Sequence, residues 1–498
     1  MARKEDRIRL FNIRYFPLVA AFLILGIFCV KVSIVVAVIL WVVATLFATL
    51  LLVTKYIKWG AVVLLVAAML VGYGAANLEL HLRNDVGLTG GCEVSCRVTE
   101  VTGDEQEGYV VAADSVRAGG RSYVGGLSFQ TDAPLAVGDR ITVRGEVEIS
   151  PLDLSTVYTA LDYRYGQKYE MDAPEITSLI EGKAPLRTRI KEGARRIFTK
   201  YQGDRLGAFS YATIFGDSDA MEPEDRTAMR EVGVAHVFAI SGLHVAVLSG
   251  AILFLLRKCK VKDGISLLIL LPIFGFYAYL VGFSPSVLRA AVMVCVALLA
   301  SHFGMRYDGL SALGLAAILL LLTRPLLLFD VSFIMSFLSI LGIHSLASPL
   351  EKAFARKLPA RLAAALAISI ATTLALLPIS AVIFGRISLI GFLLNIVVVP
   401  LASISYILSL VGLLLTAILP SFGAILSAAS YLPFFIMGIS GWASSLGLSV
   451  EYDFSAAEIL VFYATLLFCG KYSLAAKKVK FVAGGIGAGI LAILIFAL

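Results

Sequence analysis

The sequence contains few charged residues for its length. Only 15% of its 498 residues are Asp, Glu, Lys or Arg, whereas 59% are hydrophobic, and the mean hydropathy is +0.89. A soluble chain of this size needs many more charged positions to cover its surface. This scarcity excludes an ordinary soluble enzyme or binding module, and it indicates a polytopic membrane protein.

Histidine is also scarce, and its spacing argues against a metal centre. The histidines are His81, His236, His244, His302 and His344, with no closely spaced pair. A two-metal hydrolase needs clustered His and Asp ligands. We therefore expect no metal and no other cofactor.

The cysteines do not form a recognisable disulfide framework. Of the six, only Cys92 and Cys96 fall in a polar region. On an extended strand, a separation of four residues is about 13 Å, so these two can pair only if the backbone turns between them.

Apolar runs of membrane-span length are abundant. Three precede residue 77 and ten follow residue 235, which predicts about 13 membrane segments. The first run follows a basic start, and no small-residue cleavage site comes after the run. It is interpreted as a retained helix rather than an export signal.

Between these two sets of apolar runs the pattern changes to short alternating strands. Segments such as "GDRITVRGEVEI" and "KYEMDAPEI" are separated by Gly, Asp and Pro turns. About five such strands predict a small OB-like β-barrel, with a sandwich fragment as the alternative. The predicted domains are N-terminal transmembrane helices at 1–76, the β domain at 77–184, basic amphipathic or interfacial helices and a loop at 185–235, and a transmembrane channel-type domain at 236–498.

Basic residues orient the predicted spans. Five Lys/Arg among residues 3–14 place the N-terminus in the cytoplasm, so three crossings leave the β domain outside. The later basic loops all lie inside only if the segment 387–419 crosses an odd number of times. Because that segment is long and contains Pro400, we predict a broken or re-entrant helix there.

The segment "HVFAISGLHVAV" places polar groups in an apolar run. At 100° per residue, Ser241 and His244 share one helical face, and His236 lies two turns away, about 80° round. Gly242 lets another segment approach closely. This stripe is a packing seam with interhelical hydrogen bonds, the lining of a pore or gate, or a Ser/His hydrolytic pair with no visible third group.

Three more polar residues lie in apolar segments. Arg289 follows Pro285 by one turn, and it either extends to the membrane interface or faces a water-filled cavity where it meets phosphate. Asp330 either caps a helix or lines the same path. Asn395 lies five residues before Pro400, in the predicted broken helix.

These polar residues belong to stretches that resemble the motifs of a known protein family. "GVAHVFAISGLHVAVLSG" resembles the signature of the ComEC family of competence proteins, membrane channels that bring single-stranded DNA into transformable bacteria. The stretches "FGDSD", "SPSVLRAAVM", "RPLLLFDVSFIMSF" and "LLNIVVVPL" match in the same order, and the upstream layout is similar, so the resemblance covers nearly the whole chain. Ser332 stands where the family more often has glycine. Many members also carry a C-terminal metallo-β-lactamase-like nuclease domain, which is not expected here.

The resemblance implies a channel of the bacterial cytoplasmic (inner) membrane that passes single-stranded DNA inward, and not an enzyme. The path residues would be His236, Ser241, Gly242, His244, Arg289, Asp330 and Asn395. The implied partners are single-stranded DNA, membrane lipid, a separate nuclease, a DNA receptor and a cytoplasmic motor. A second copy of the chain is a further expected partner, from the Gly485 to Gly489 pair in "GGIGAG", which is of the close-packing type. An intramembrane Ser/His hydrolase and a secondary transporter of a small anion are the alternatives.

Charge is uneven over the region expected to meet DNA first. Acidic residues outnumber basic ones by 18 to 9 between residues 77 and 184, whereas 187–205 holds seven Lys/Arg and two acids. Basic and aromatic side chains that interleave suit the stacking of unpaired bases. The candidate DNA-binding residues are Arg140, Arg144, Tyr163, Arg164, Tyr165, Lys168, Arg195 and Arg196. Ordinary strand-surface and lipid-facing residues give the same pattern.

Overall fold

Apolar helices make up most of the structure, with one β domain between them. The computed structural model describes residues 14–54, 57–84, 88–104, 108–123, 125–149, 167–238, 241–452, 454–471 and 484–486. The chain divides into two units, Val19–Gly193 with Ala317–Phe333, and Met1–Leu18 with Ala194–Ala316 and Ile334–Leu498. Each unit is described by itself.

Three apolar helices come first along the chain: α1 (Tyr15–Phe28), α2 (Ile34–Val53) and α3 (Trp59–Asn84). Glycines bring α1 and α3 into backbone contact. A Cβ placed on Gly72 would lie 2.5 Å from the carbonyl oxygen of Leu23, and one on Gly26 would overlap the carbonyl of Met69. Small residues at such a crossing allow the close approach that holds apolar helices together in lipid.

The β domain is a closed barrel of five strands with one short addition. Its strands are β1 (Gly90–Asp104), β2 (Gly108–Ala118), β3 (Arg121–Ser122), β4 (Gly126–Thr131), β5 (Arg140–Ile149) and β6 (Gln167–Ile180). Pairing runs β1–β5–β6–β4–β2 and returns from β2 to β1, while β3 pairs with β2. The described pairs are antiparallel except β4 with β6. The predicted small barrel is confirmed, and this strand order with its one parallel pair is that of an OB-fold.

Strand β1 pairs with both β2 and β5 because it bends. Register shifts against β2 lie between Ser95 and Arg97 and between Val98 and Glu100, and such irregularities increase the local twist that closure requires. Alternate side chains then point inward. The buried interior includes Val94, Val98, Val111, Leu127, Phe129, Ile141, Val143 and Tyr169.

Both polar-region cysteines belong to β1. The strand runs without a turn from Cys92 to Cys96, and both thiols are free. Burial raises the pKa of Cys96 to about 12, so its thiol stays protonated and unreactive. These two residues pack as small core side chains.

The remaining helices follow the barrel. They are α4 (Leu186–Gln202), α5 (Asp204–Phe215), α6 (Pro223–Glu231), α7 (Gly242–Lys258), α8 (Asp263–Leu280), α9 (Pro285–His302), α10 (Gly309–Thr323), α11 (Val331–Gly342), α12 (Ser348–Phe354), α13 (Ala360–Phe384), α14 (Gly391–Ile418), α15 (Gly423–Ala429), α16 (Tyr431–Ser445) and α17 (Ala456–Cys469). Two short strands, β7 (Arg386–Ser388) and β8 (Ser449–Glu451), form an antiparallel pair. A π-helical turn, Ile343–Ala347, joins α11 to α12.

Among the described residues, eight helical segments are long and apolar enough to cross a membrane, and α1, α10 and α17 are shorter apolar helices. This composition fits a polytopic membrane protein. The count of about 13 spans stays a prediction, since most of the last apolar run, 481–498, lies outside the described residues.

The predicted broken helix is wrong. Residues Gly391–Ile418 form one continuous helix of 28 residues that contains Pro400. Pro400 is exposed, so the bend and the lost backbone hydrogen bond that proline imposes fall away from the packed face. A single crossing is already an odd number, so the charge argument does not require a break.

Candidate functional site

The start of α7 is built by Ser241 and His244. Ser241 has an extended backbone (φ −117°, ψ 164°), and its Oγ accepts a hydrogen bond from the Leu243 N–H at 3.3 Å. In return, Nδ1 of His244 accepts from the Ser241 N–H at 3.2 Å. This is a capping box in which histidine replaces the usual Glu or Gln. Because Nδ1 accepts, a neutral ring carries its proton on Nε2.

The predicted helical stripe of three residues is wrong, because α7 begins later than the apolar run. His236 lies in a separate 3-10 turn, Ala235–Val237, and is exposed. Ser241 stands before the helix as its N-cap, a position that serine favours. Only His244 of the three is on α7.

His244 belongs to a buried cluster that joins several helices. Its side chain is 4% exposed and meets Tyr406 of α14 edge-on, with ring centroids 4.9 Å apart. The imidazole also interacts with the backbone of Val237. Nearby, the hydroxyl of Tyr277 on α8 donates to the carbonyl of Ile214 on α5 at 3.1 Å. Sequence reasoning missed both tyrosines, although each stands within an apolar helix where a buried hydroxyl needs a partner.

The Ser241 Oγ and His244 Nδ1 atoms are 3.3 Å apart, a distance that a Ser/His hydrolase would need. Both atoms, however, already act in the capping box. The His244 ring interacts with Ser241, Val237, Tyr406 and His236, none of which is a carboxylate that could orient a catalytic base. The geometry supports a structural pair.

Replacing Ser241 with alanine should lower the free energy of unfolding by about 0.5–2 kcal/mol, the usual loss for an N-cap. Asparagine caps helices as well as serine but has no nucleophilic oxygen, so Ser241→Asn should keep wild-type stability and activity. The melting temperature and the activity of the two variants check this. Loss of activity in a stable Ser241→Asn protein would instead favour the hydrolase.

Arg289 lies in the second turn of α9 and points into the helix packing. Its side chain is 4% exposed, so it does not reach outward to water as an interfacial arginine does. Nη1 donates to the carbonyl of Ser336 on α11, and the guanidinium carbon lies 5.9 Å from the centre of the Phe337 ring. Both contacts lie in the "FDVSFIMSF" stretch, in which sequence reasoning had named only Asp330 as a path residue.

The structure brings Gly242 and Arg289 together. A Cβ on Gly242 would overlap Nη2 of Arg289 and lie 3.3 Å from its Cζ. Ser241, Gly242, His244 and Arg289 therefore form one site, which we call the α7 entrance site.

The other two predicted path residues lie at the start of α11 and on α14. Asp330 precedes α11, and its Oδ1 accepts from the Phe333 N–H at 2.9 Å, so the capping alternative describes it. Asn395 is on α14, partly exposed, and its Oδ1 has no recorded hydrogen-bond partner.

Half of the predicted DNA-binding residues can be placed. Arg140 and Arg144 share the exposed face of β5, and Arg144 lies 3.9 Å from Glu93 on β1. Arg195 and Arg196 are exposed on α4. Tyr163, Arg164 and Tyr165 lie outside the described residues. The backbone of Lys168 is described in β6, but its side chain is not.

These elements define the class of the protein: a polytopic membrane protein whose helices accompany a closed β-barrel domain. The competence protein family matches residues 213–476, more than half of the chain, and the chain belongs to this family.

Two relatives match parts of the chain. ComE operon protein 3 of Bacillus subtilis (strain 168) is 33% identical over 224 residues, which are 44% of this chain and 28% of that protein. An uncharacterized protein of Aquifex aeolicus (strain VF5) is 30% identical over 145 residues, 29% of this chain and 34% of that protein. The chain thus spans about a third or less of each relative. No solved structure matches.

Proposed function

We propose that this protein is a channel that passes single-stranded DNA into the cytoplasm during natural transformation. The observation that carries the proposal is that one chain joins a competence-family helical region to a closed five-stranded barrel. Barrels of this type bind oligonucleotides through an exposed strand face. A DNA strand held on the barrel would then cross the membrane through the apolar helices of the same chain.

The barrel offers the DNA strand a weak first binding surface. Arg140 and Arg144 present two guanidinium groups on one exposed face, and the Glu93 carboxylate close to Arg144 competes with phosphate there. On α4, Arg195 and Arg196 are exposed while Phe198 is buried, so this helix offers positive charge to DNA or to anionic lipid. Weak contacts suit a conduit, since tight binding stalls transport.

We place the protein in the bacterial cytoplasmic (inner) membrane with its N-terminus in the cytoplasm and the barrel outside, from the distribution of basic loops. In this arrangement it acts as a conduit and not as an enzyme. A separate nuclease, a DNA receptor and a cytoplasmic motor would act with it, alongside a second copy of the chain.

The test is DNA uptake by cells that lack the protein. Labelled double-stranded DNA is supplied, and surface-bound and internalised strands are assayed separately. We expect surface binding to persist and internalised single strands to disappear, with recovery when the gene is restored. Normal internalisation without the protein would end the proposal.

A further inference from the structure

The α7 entrance site carries a positive charge that none of the described acidic side chains balances. Arg289 is 4% exposed, and its Nε has no hydrogen-bond partner. Its recorded contacts are the Ser336 carbonyl, the Phe337 ring and Gly242, and no acidic side chain of the described residues forms an ion pair with it. A buried charge without a partner is strongly unfavourable, so such groups normally find a counter-ion.

The neighbouring helix end adds a second positive feature. Gly242 is the first residue of α7, a helix of 17 residues, and the amino end of a helix carries a partial positive charge. The Arg289 guanidinium lies directly against it, because glycine leaves no side chain between them. A cation at a helix amino end is unfavourable, whereas an anion there is stabilised.

Both features point to the same kind of ligand. We propose that the α7 entrance site binds a phosphate group on the partly exposed side of Ser241 and Gly242, where the phosphate contacts both the Arg289 guanidinium and the amino end of α7. Ser241 and Gly242 are partly exposed, so an anion can approach from their side. This inference rests on the proposed function in one respect: the phosphate is taken to be a diester of the DNA strand in transit, with one negative charge for the one guanidinium.

The first test measures melting of the purified full-length protein in detergent. Inorganic phosphate, dimethyl phosphate and a short single-stranded oligonucleotide are compared with chloride at equal ionic strength. A ligand that binds only the folded protein raises its melting temperature, and at concentrations well above Kd we expect a rise of a few degrees. An oligonucleotide with uncharged methylphosphonate linkages should have no such effect.

Two variants assign that rise to the site. Arg289→Gln should abolish it and, in chloride, melt no lower than wild type, because the unbalanced charge is gone. Gly242→Ala should weaken it, because the new Cβ displaces the guanidinium. The matched controls are Arg306→Gln, at an exposed position, and Gly250→Ala, on the same helix with open space around it. Both should respond like wild type.

The outcomes separate this inference from the proposed function. No rise in wild type, or an equal rise in Arg289→Gln, overturns the site. A rise with inorganic phosphate but not with the diester overturns the DNA assignment and favours a free anion. Suppose that dimethyl phosphate and the oligonucleotide both raise the melting temperature through Arg289 while cells that lack the protein internalise DNA normally. That result supports the phosphate site and rejects the proposed channel function. Should Arg289→Gln fail to fold, the Gly242→Ala and Gly250→Ala pair decides alone.

Discussion

Gly72→Ala should destabilise the N-terminal helices, and Gly74→Ala, two residues further along the same helix, should not. At position 72 the new methyl group would lie 2.5 Å from the carbonyl oxygen of Leu23, which is helix backbone and has nowhere to move, whereas nothing lies within 4 Å of position 74. Overpacking of this kind costs about 1–3 kcal/mol. In an open helix position, the same substitution gains up to about 1 kcal/mol from helix propensity.

The two variants should therefore shift stability in opposite directions. Melting of the detergent-solubilised protein, followed by size-exclusion chromatography, measures the difference, and the amount of protein in the membrane fraction measures its consequence in cells. Gly26→Ala should behave like Gly72→Ala, because its methyl group would overlap the carbonyl of Met69 on α3. Equal melting of the Gly72 and Gly74 variants would contradict the backbone contact between α1 and α3.

Features that follow from side-chain periodicity could be predicted from the sequence. The alternation in "GDRITVRGEVEI" gives both the buried residues Ile141 and Val143 and the exposed Arg140 and Arg144. Hydropathy likewise predicts an apolar segment at 361–384, and α13 is observed at Ala360–Phe384, a difference of one residue. These features depend on burial of one face, which each segment encodes in its own composition.

Helix ends could not be predicted in the same way. Hydropathy continues smoothly from residue 236 to 256, but the helix starts only at Gly242, because the side chains of Ser241 and His244 accept hydrogen bonds from the N–H groups of Leu243 and Ser241 there. A histidine in the third helical position is not the usual capping signal, so this capping box was not recognisable from the sequence. At Pro400 the sequence predicted a helix end that the structure does not have, since proline on an exposed helix face bends a helix without ending it.

The partners of Arg289 were also beyond sequence reasoning. Ser336 contributes a backbone carbonyl, which every residue possesses, and Gly242 contributes the absence of a side chain. Neither contribution has a residue-type signature. The sequence could identify the charge in an apolar helix, but only the packing of α7, α9 and α11 shows that no acid of the described residues forms an ion pair with it.

His244→Ala should cause a large loss of stability and of DNA uptake, whereas His244→Gln should retain most of both. Alanine removes the acceptor for the Ser241 N–H and leaves a hole beside Tyr406, where the imidazole is now 4% exposed. Truncation of a large buried ring costs about 3–5 kcal/mol. Glutamine in the third helical position accepts the same N–H in an ordinary capping box, and it fills most of the volume.

This pair of variants separates a structural histidine from a catalytic one. A general base cannot be replaced by glutamine, which does not take up a proton at neutral pH, so a hydrolase would lose activity with both variants even if His244→Gln melted like wild type. Transformation frequency per amount of membrane-inserted protein is the measurement, with His302→Gln as the control because His302 is exposed. Retention of uptake by His244→Gln would leave the imidazole with one task, holding the amino end of α7 in place beside Arg289.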